Sequence, residues 1–255
     1  MYLAKFRFYE SLNFFLPRRK KHRPIHHEFD WRASIKDMIE SLGVPHAEVS
    51  LIVVNGKSVD FSYIVRPDDV VDVYPFFDMV ELPEKVRLRP ILEPHEARFV
   101  LDTHLGRLAA YLRMMGFDTL YRNDYADDEL ARVAHSEGRI VLTRDIGVLK
   151  RSLVTHGYFV RETSPRRRLV EIIRRFDLHP AITPFKHCMK CNGLLTTVSK
   201  ESVASELPAD TLRYYDEFHR CTSCQQIYWK GPHYERMRAL IDEVLLETRQ
   251  SNTVM

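Results

Sequence analysis

The 255-residue sequence predicts a three-part protein mixing α+β and α/β architecture, and three observations carry that prediction. Strand-like alternation brackets one capped helix over residues 1–80. Strands then alternate with amphipathic helices over 97–179, and four cysteines fall in two close pairs within 180–255. At about 100–200 residues per domain the length suits two or three small domains. Apolar residues make up 45% and charged residues 29%, the composition of a folded chain. The 38 basic and 35 acidic residues leave a net charge of +3, which permits a polyanionic partner without requiring one. No apolar run approaches the ~18–20 residues of a bilayer span, and the alternating start, Met1 to Arg7, does not read as a signal peptide. The chain therefore reads as soluble and cytoplasmic, with no membrane partner.

In the first part, Ala4, Phe6 and Phe8 alternate with polar residues, as do Ile25, His27 and Phe29, so both stretches fit half-buried strands. Between them lies a basic loop with Arg18, Arg19, Lys20, Lys21 and Arg23. Ser34 and Asp37 form a capping pair ahead of Ile35, Met38, Ile39 and Leu42, an apolar stripe at helical spacing that Gly43 closes. Asn55-Gly56 predicts a two-residue hairpin turn, because both central positions need positive φ. A Pro67-Asp68-Asp69 turn precedes the last strand, 70–74. Strand, strand, helix, strand, strand is the order of a β-grasp domain. The stretch 54–75 resembles the ubiquitin-like sulfur carriers of thiamine and molybdopterin synthesis, which act through a free diglycine tail. Here Phe76, Phe77 and Asp78 follow Pro75 and the chain continues, so the resemblance implies the fold without the carrier chemistry. The expectation is a module that docks a protein partner, with the basic loop as contact surface. Pro83, Pro90 and Pro94 among charges predict a stiff extended linker over 81–96.

From 97 the pattern becomes strand, helix, strand. The strand 98–101 ends in Asp102, and Leu105, Leu108, Leu112 and Met115 line the helix that follows, closed by Gly116. Residues 119–121 form a second strand, and Asp127 is placed to cap a helix facing inward through Leu130, Val133 and Ala134. Residues 139–145 form another apolar strand ending in an acid, Asp145. A helix to about residue 156, a strand 158–160 and a basic helix from Pro165 complete a parallel sheet with helices on its faces.

Side chains just past the carboxyl ends of neighbouring parallel strands converge on one crevice. Asp102 and Asp145 sit at such ends, with Asp124, Asp127 and Asp128 as candidates for a third acid. Clustered carboxylates repel, and Mg²⁺ or Mn²⁺ is the usual relief; such ions keep waters that can attack a phosphodiester. Asp127 as a mere helix cap and the others as solvated or turn-forming acids are the structural alternative. A receiver domain is a rival, but Asp102 lacks the adjacent second acid, and no fifth strand with its lysine appears. Arg107, Arg113 and Arg144 lie near the acids and could grip phosphate, or simply neutralise them. Arg166, Arg167, Arg168, Arg174 and Arg175 crowd one helix, a face for a nucleic-acid backbone or for solvent.

Cys188 and Cys191, then Cys221 and Cys224, are each separated by two residues, the spacing of two loops that share one structural Zn²⁺. His187 and His219 read as surface residues or RNA contacts beside a shell already filled. Tyr228, Trp229 and His233 could stack on unpaired bases, although Trp229 fits better as ribbon core. A final helix is predicted over about 234–248.

The motifs Phe99-Val100-Leu101-Asp102-Thr103-His104-Leu105-Gly106-Arg107-Leu108 and Leu112-Arg113-Met114-Met115-Gly116-Phe117-Asp118-Thr119 resemble those of the PIN-like RNase family first named for the C terminus of the mutator-seven exonuclease (Mut-seven-C). The match continues through Asp127-Asp128-Glu129-Leu130-Ala131, Val141-Leu142-Thr143-Arg144-Asp145, Cys188-Met189-Lys190-Cys191-Asn192-Gly193-Leu194-Leu195, and Cys221 with the run Ile227 to His233. A β-grasp domain in front is an arrangement seen in that family. The resemblance implies a PIN-like nuclease domain with a zinc ribbon that hydrolyses RNA with Mg²⁺ or Mn²⁺. A non-catalytic RNA-binding or ribosome-associated adaptor is the alternative from another class.

Overall fold

The computed structural model describes residues 1–76, 79–89 and 92–249; Phe77, Asp78, Pro90, Ile91 and residues 250–255 lie outside the described residues. The chain divides into two compact units, Met1–Ile91 with Asp145–Phe159, and Leu92–Arg144 with Val160–Met255.

The first unit contains β1 (Tyr2–Phe8), β2 (Ile25–Phe29), α1 (Ile35–Ser41), β3 (Leu51–Val54), β4 (Lys57–Val59) and β5 (Val70–Tyr74). The strands pair in the order β2-β1-β5-β3-β4, with β1 and β5 parallel and the other pairings antiparallel, which is the β-grasp sheet. Alternation in β1 buries Ala4, Phe6 and Phe8, which pack with Ile35, Met38 and Ile39 of α1 into one core. Ser34 Oγ accepts from the Asp37 amide (3.1 Å) and donates to Asp37 Oδ2 (2.7 Å), so the helix begins where the capping pair predicts. Asn55 and Gly56 take φ of 50° and 80° in the β3–β4 turn. Buried Asn13 ties down the basic loop: its Nδ2 donates to Phe8 O (2.8 Å) and its Oδ1 accepts from His22 N (2.7 Å).

The first half of the linker lies on the β-grasp sheet. Val80 and Leu82 pack against Leu51, Val53 and Tyr74, and Val86 N donates to Ser58 Oγ (2.8 Å). Burying the apolar side chains of Val80 and Leu82 against the sheet face holds the segment there.

The second unit begins with β6 (Phe99–Leu101), α2 (Gly106–Met114), β7 (Thr119–Tyr121), α3 (Asp127–Glu137) and β8 (Ile140–Thr143). β6 pairs in parallel with β7 and with β8, setting Leu101 opposite both Tyr121 and Leu142. All residues of β6 and β8 are buried, as strands covered on both faces should be. Next come α4 (Ile146–Leu149) and β9 (Gly157–Phe159), within the segment that clusters with the first unit. α4 is four residues long, not the helix to about 156 that was expected. Leu153 is 39% exposed and Arg151 O accepts from Val154 N (2.9 Å), so no apolar stripe carries the helix past Leu149. Within the first unit, Glu48, fully buried, accepts the Phe159 amide (2.6 Å) on Oε1, and the rings of Phe14 and Phe15 pack on Phe159 at 5.2 and 5.9 Å. Lys150 Nζ donates to Glu40 O (2.6 Å).

The second unit resumes with α5 (Pro165–Arg175), capped by Ser164, then β10 (Leu195–Val198), α6 (Ala209–Tyr214), β11 (Phe218–Cys221), β12 (Ile227–Trp229) and α7 (Pro232–Arg249). β10, β11 and β12 form an antiparallel ribbon over a small core of Val203, Phe218 and Ile227, against which Trp229 packs. Among the described residues no helix is long and apolar enough to cross a membrane.

Candidate functional site

The two cysteine loops are near copies of one another. Cys188 O accepts from Asn192 N (2.9 Å) and Cys221 O from Gln225 N (3.2 Å); Asn192 and Gln225 each take positive φ, 76° and 62°. The next residue closes each loop, with Cys188 N donating to Gly193 O (2.7 Å) and Cys221 N to Gln226 O (3.0 Å). A Cβ at Gly193 would lie 2.8 Å from Cys221 Sγ, so glycine is what lets the loops meet. The four Sγ atoms lie within 4.8 Å of one another, with Cys188–Cys224 at 3.7 Å and Cys191–Cys221 at 3.4 Å. Sulfurs bound tetrahedrally to zinc at ~2.3 Å stand about 3.8 Å apart, so the four cysteines are close enough to bind zinc and the spacing fits a closed thiolate shell. Burial pushes the Cys191 thiol up to about 12. Burial acts the same way on Cys221, but amides of Cys224 and Ser223 donate to its sulfur and hold it down at about 7. Four crowded sulfurs cannot all ionise without a cation between them.

The first loop is held from behind by residues that the sequence analysis did not assign to it. Arg113 is 4% exposed; its Nε donates to Thr119 O (2.8 Å) and its Nη1 to the carbonyls of Met189 (3.1 Å) and Lys190 (3.0 Å) inside the loop. Burial lowers its pKa while the cysteine sulfurs raise it. This corrects the phosphate-binding assignment of Arg113: its guanidinium is already satisfied by backbone acceptors, which a buried arginine needs. Asn192 Nδ2 donates to Asp118 Oδ1 (2.6 Å) and its Oδ1 accepts from Thr119 N (2.8 Å). Asp118 in turn takes both arms of Arg139 (2.8 and 3.0 Å). His187, expected at the surface, is 8% exposed and its Nδ1 lies 2.9 Å from Asn192 O.

The acids are arranged differently. Asp102, 8% exposed, follows β6; its Oδ2 accepts from the Thr143 hydroxyl and from Arg144 N (2.9 Å) at the end of β8, and its Oδ1 accepts from His104 N (2.9 Å). A carboxylate offers about four lone pairs, so this one ties the two strand ends together and keeps acceptor capacity. Asp145 caps α4, its Oδ1 accepting from Gly147 N (2.7 Å). Asp127 and Asp128 occupy the exposed first turn of α3, but the capping position is Ala126, so Asp127 is not the cap that the sequence suggested. The helix starts one residue early because Leu130 N already bonds to Ala126 O (2.9 Å). Asp124 is drawn away by the fork of Arg122 (2.9 and 3.0 Å). Among the described residues, the cysteines are the group of three or more His, Cys, Asp or Glu side chains whose ligand atoms converge this closely.

Of the remaining arginines, Arg144 donates through Nη1 to the carbonyls of Val160 (2.9 Å), Arg161 (3.3 Å) and Glu162 (2.7 Å). Arg107 stays exposed. On α5, Arg166 pairs with Glu247 (2.8 Å) and Arg174 donates to Glu247 O (2.8 Å), so part of the basic helix faces α7. Arg167 is exposed.

A family model described as the Mut7-C RNAse domain matches residues 97–241, and one described as Mut7-C ubiquitin matches residues 1–81. No curated protein and no solved structure matches the chain.

Proposed function

The chain belongs to the Mut7-C RNAse family, and on that premise we propose that it is a metal-dependent ribonuclease whose acids lie at the ends of its parallel strands. The observation that supports this most is Asp102: it stands at the carboxyl end of β6 and its carboxylate reaches the backbone end of β8. Mg²⁺ is characteristically bound by one or two carboxylates together with substrate phosphates, and needs no all-protein cage. Asp102, with Asp127 or Asp128, would hold Mg²⁺ or Mn²⁺; Asp145 joins them on its sequence position two residues past β8. When bound, such an ion supplies an activated water and charge stabilisation at the phosphate. Asp102 fixes the ends of two strands, and exposed Arg107 is free to approach a phosphate oxygen of the RNA. The cysteines hold one structural Zn²⁺, whose closed shell leaves no position for substrate. The N-terminal domain serves as a docking module for a protein partner.

The adaptor reading is favoured by one observation: the carboxylates of Asp102 and Asp145 already serve as acceptors for backbone amides. Hydrolysis of a single-stranded RNA with added Mn²⁺ or Mg²⁺, measured for the full chain, Asp102→Asn and Asp145→Asn, separates the two. The nuclease reading expects cleavage by the parent chain and a loss of at least about a hundredfold in either variant, with the folded circular dichroism spectrum retained. RNA binding without cleavage under either ion leaves the adaptor.

A further inference from the structure

A cleft of about 270 Å³ opens between the first cysteine loop, β12 and the start of α7. Its lining is dominated by rings: Phe185, Tyr228, Trp229 and Tyr234, with His219 at the side. Phe185 and Tyr234 stand 4.8 Å apart at 34°. These walls are rigid for separate reasons. Trp229 packs on the ribbon core, and Tyr228 Oη lies 3.1 Å from Cys188 Sγ. Phe185 is held at φ 64°, a conformation that a bulky residue rarely adopts, with its amide bonded to Met114 O (2.9 Å). Strain of this kind persists where surrounding structure enforces it, and it clusters at functional sites.

We infer that this aromatic cleft binds one unpaired nucleobase of single-stranded RNA. Every base has two π-faces, and ring-lined walls hold it without regard to sequence. The volume lies below the ~300–1,000 Å³ of pockets that take drug-sized ligands, which suits one ring system. The mouth adds an ion pair, Glu217 with Lys230, that offers an acceptor and donors to a base edge. Exposed Lys186 and Lys190 flank the lining residues in sequence and supply charge for the adjoining phosphates. The inference rests on RNA being the ligand proposed above and adds where a base is held, on the cysteine-bearing ribbon.

The test is fluorescence anisotropy of a labelled single-stranded RNA hexamer with the full chain and no added Mg²⁺ or Mn²⁺, so that cleavage does not enter. Tyr234→Leu should weaken binding roughly tenfold or more. Met237→Trp, which fills the cleft from α7 without removing a wall, should weaken it similarly, and it decides the matter if Tyr234→Leu fails to fold. An abasic hexamer should bind the parent chain as weakly as the base-bearing hexamer binds Tyr234→Leu. Unchanged affinity in a folded Met237→Trp chain, or equal binding of the abasic hexamer, overturns the inference. A chain that holds bases here yet never cleaves keeps this inference and loses the catalytic reading.

Discussion

The cysteine centre and the strand-end acids are both sets of ionisable side chains, but they are built in opposite ways. Four sulfurs from two loops converge within 4.8 Å, braced by Arg113 and by the Asn192–Asp118 pair. Two of the acids already hold turns: Asp102 ties β6 to the end of β8, and Asp145 caps α4. A closed thiolate shell needs nothing from outside, so its metal couples to folding. Carboxylates that also serve as backbone acceptors can remain stable without an ion, and leave a shell for substrate phosphate to complete. Convergence of side chains therefore separates a set close enough to bind zinc from acids placed by their strands.

The largest expected effect comes from breaking the convergent side. Cys221→Ser should bring zinc well below half an equivalent per chain by elemental analysis and unfold the ribbon. The calorimetric transition of the β-grasp domain should survive.

Next, two arginines sharpen the contrast. Arg113→Ala leaves the carbonyls of Thr119, Met189 and Lys190 without their donor and should cost about 2–4 kcal/mol in urea unfolding, with weaker zinc retention against a chelator. Arg107→Ala should leave stability within about 0.5 kcal/mol and act on RNA affinity alone.

A smaller effect concerns the acid-bearing segment Asp145–Phe159. Glu48→Leu removes the acceptor of the Phe159 amide and should cost about 1–3 kcal/mol, with faster hydrogen exchange at residues 157–159. Glu48→Gln keeps a carbonyl acceptor and should restore most of the protection.

The smallest effect tests whether the first unit is energetically separate from the cysteine centre. Burial, aided by the charge of Lys20, lowers the pKa of His27 below its ordinary 6.5. The stability tied to its neutral form is present above pH 6.5 and is lost as pH falls through the lowered folded value. His27→Gln should flatten the pH dependence of the first unit's urea midpoint below pH 6.5 and leave zinc content untouched.

Much of this protein was legible locally. The Ser34–Asp37 cap, the Asn55-Gly56 turn, the alternation of β1 and the paired cysteines are all short-range patterns, set by backbone geometry within a few residues. The end of α4 was not legible, because a helix stops where its apolar stripe loses a partner and not at a marked residue. Nor was the role of Arg113, since an arginine beside acids reads alike whether it faces phosphate or a buried carbonyl.

The β-grasp order, the parallel strands and the spacing of the four cysteines are written in the chain itself, because each depends on near neighbours in sequence. That Arg113 braces a loop some 76 residues further on, and that Glu48 receives an amide 111 residues away, comes from folding alone. Both are buried polar groups, and a buried polar group must find its partner wherever folding brings one, at a distance in sequence that no local periodicity encodes.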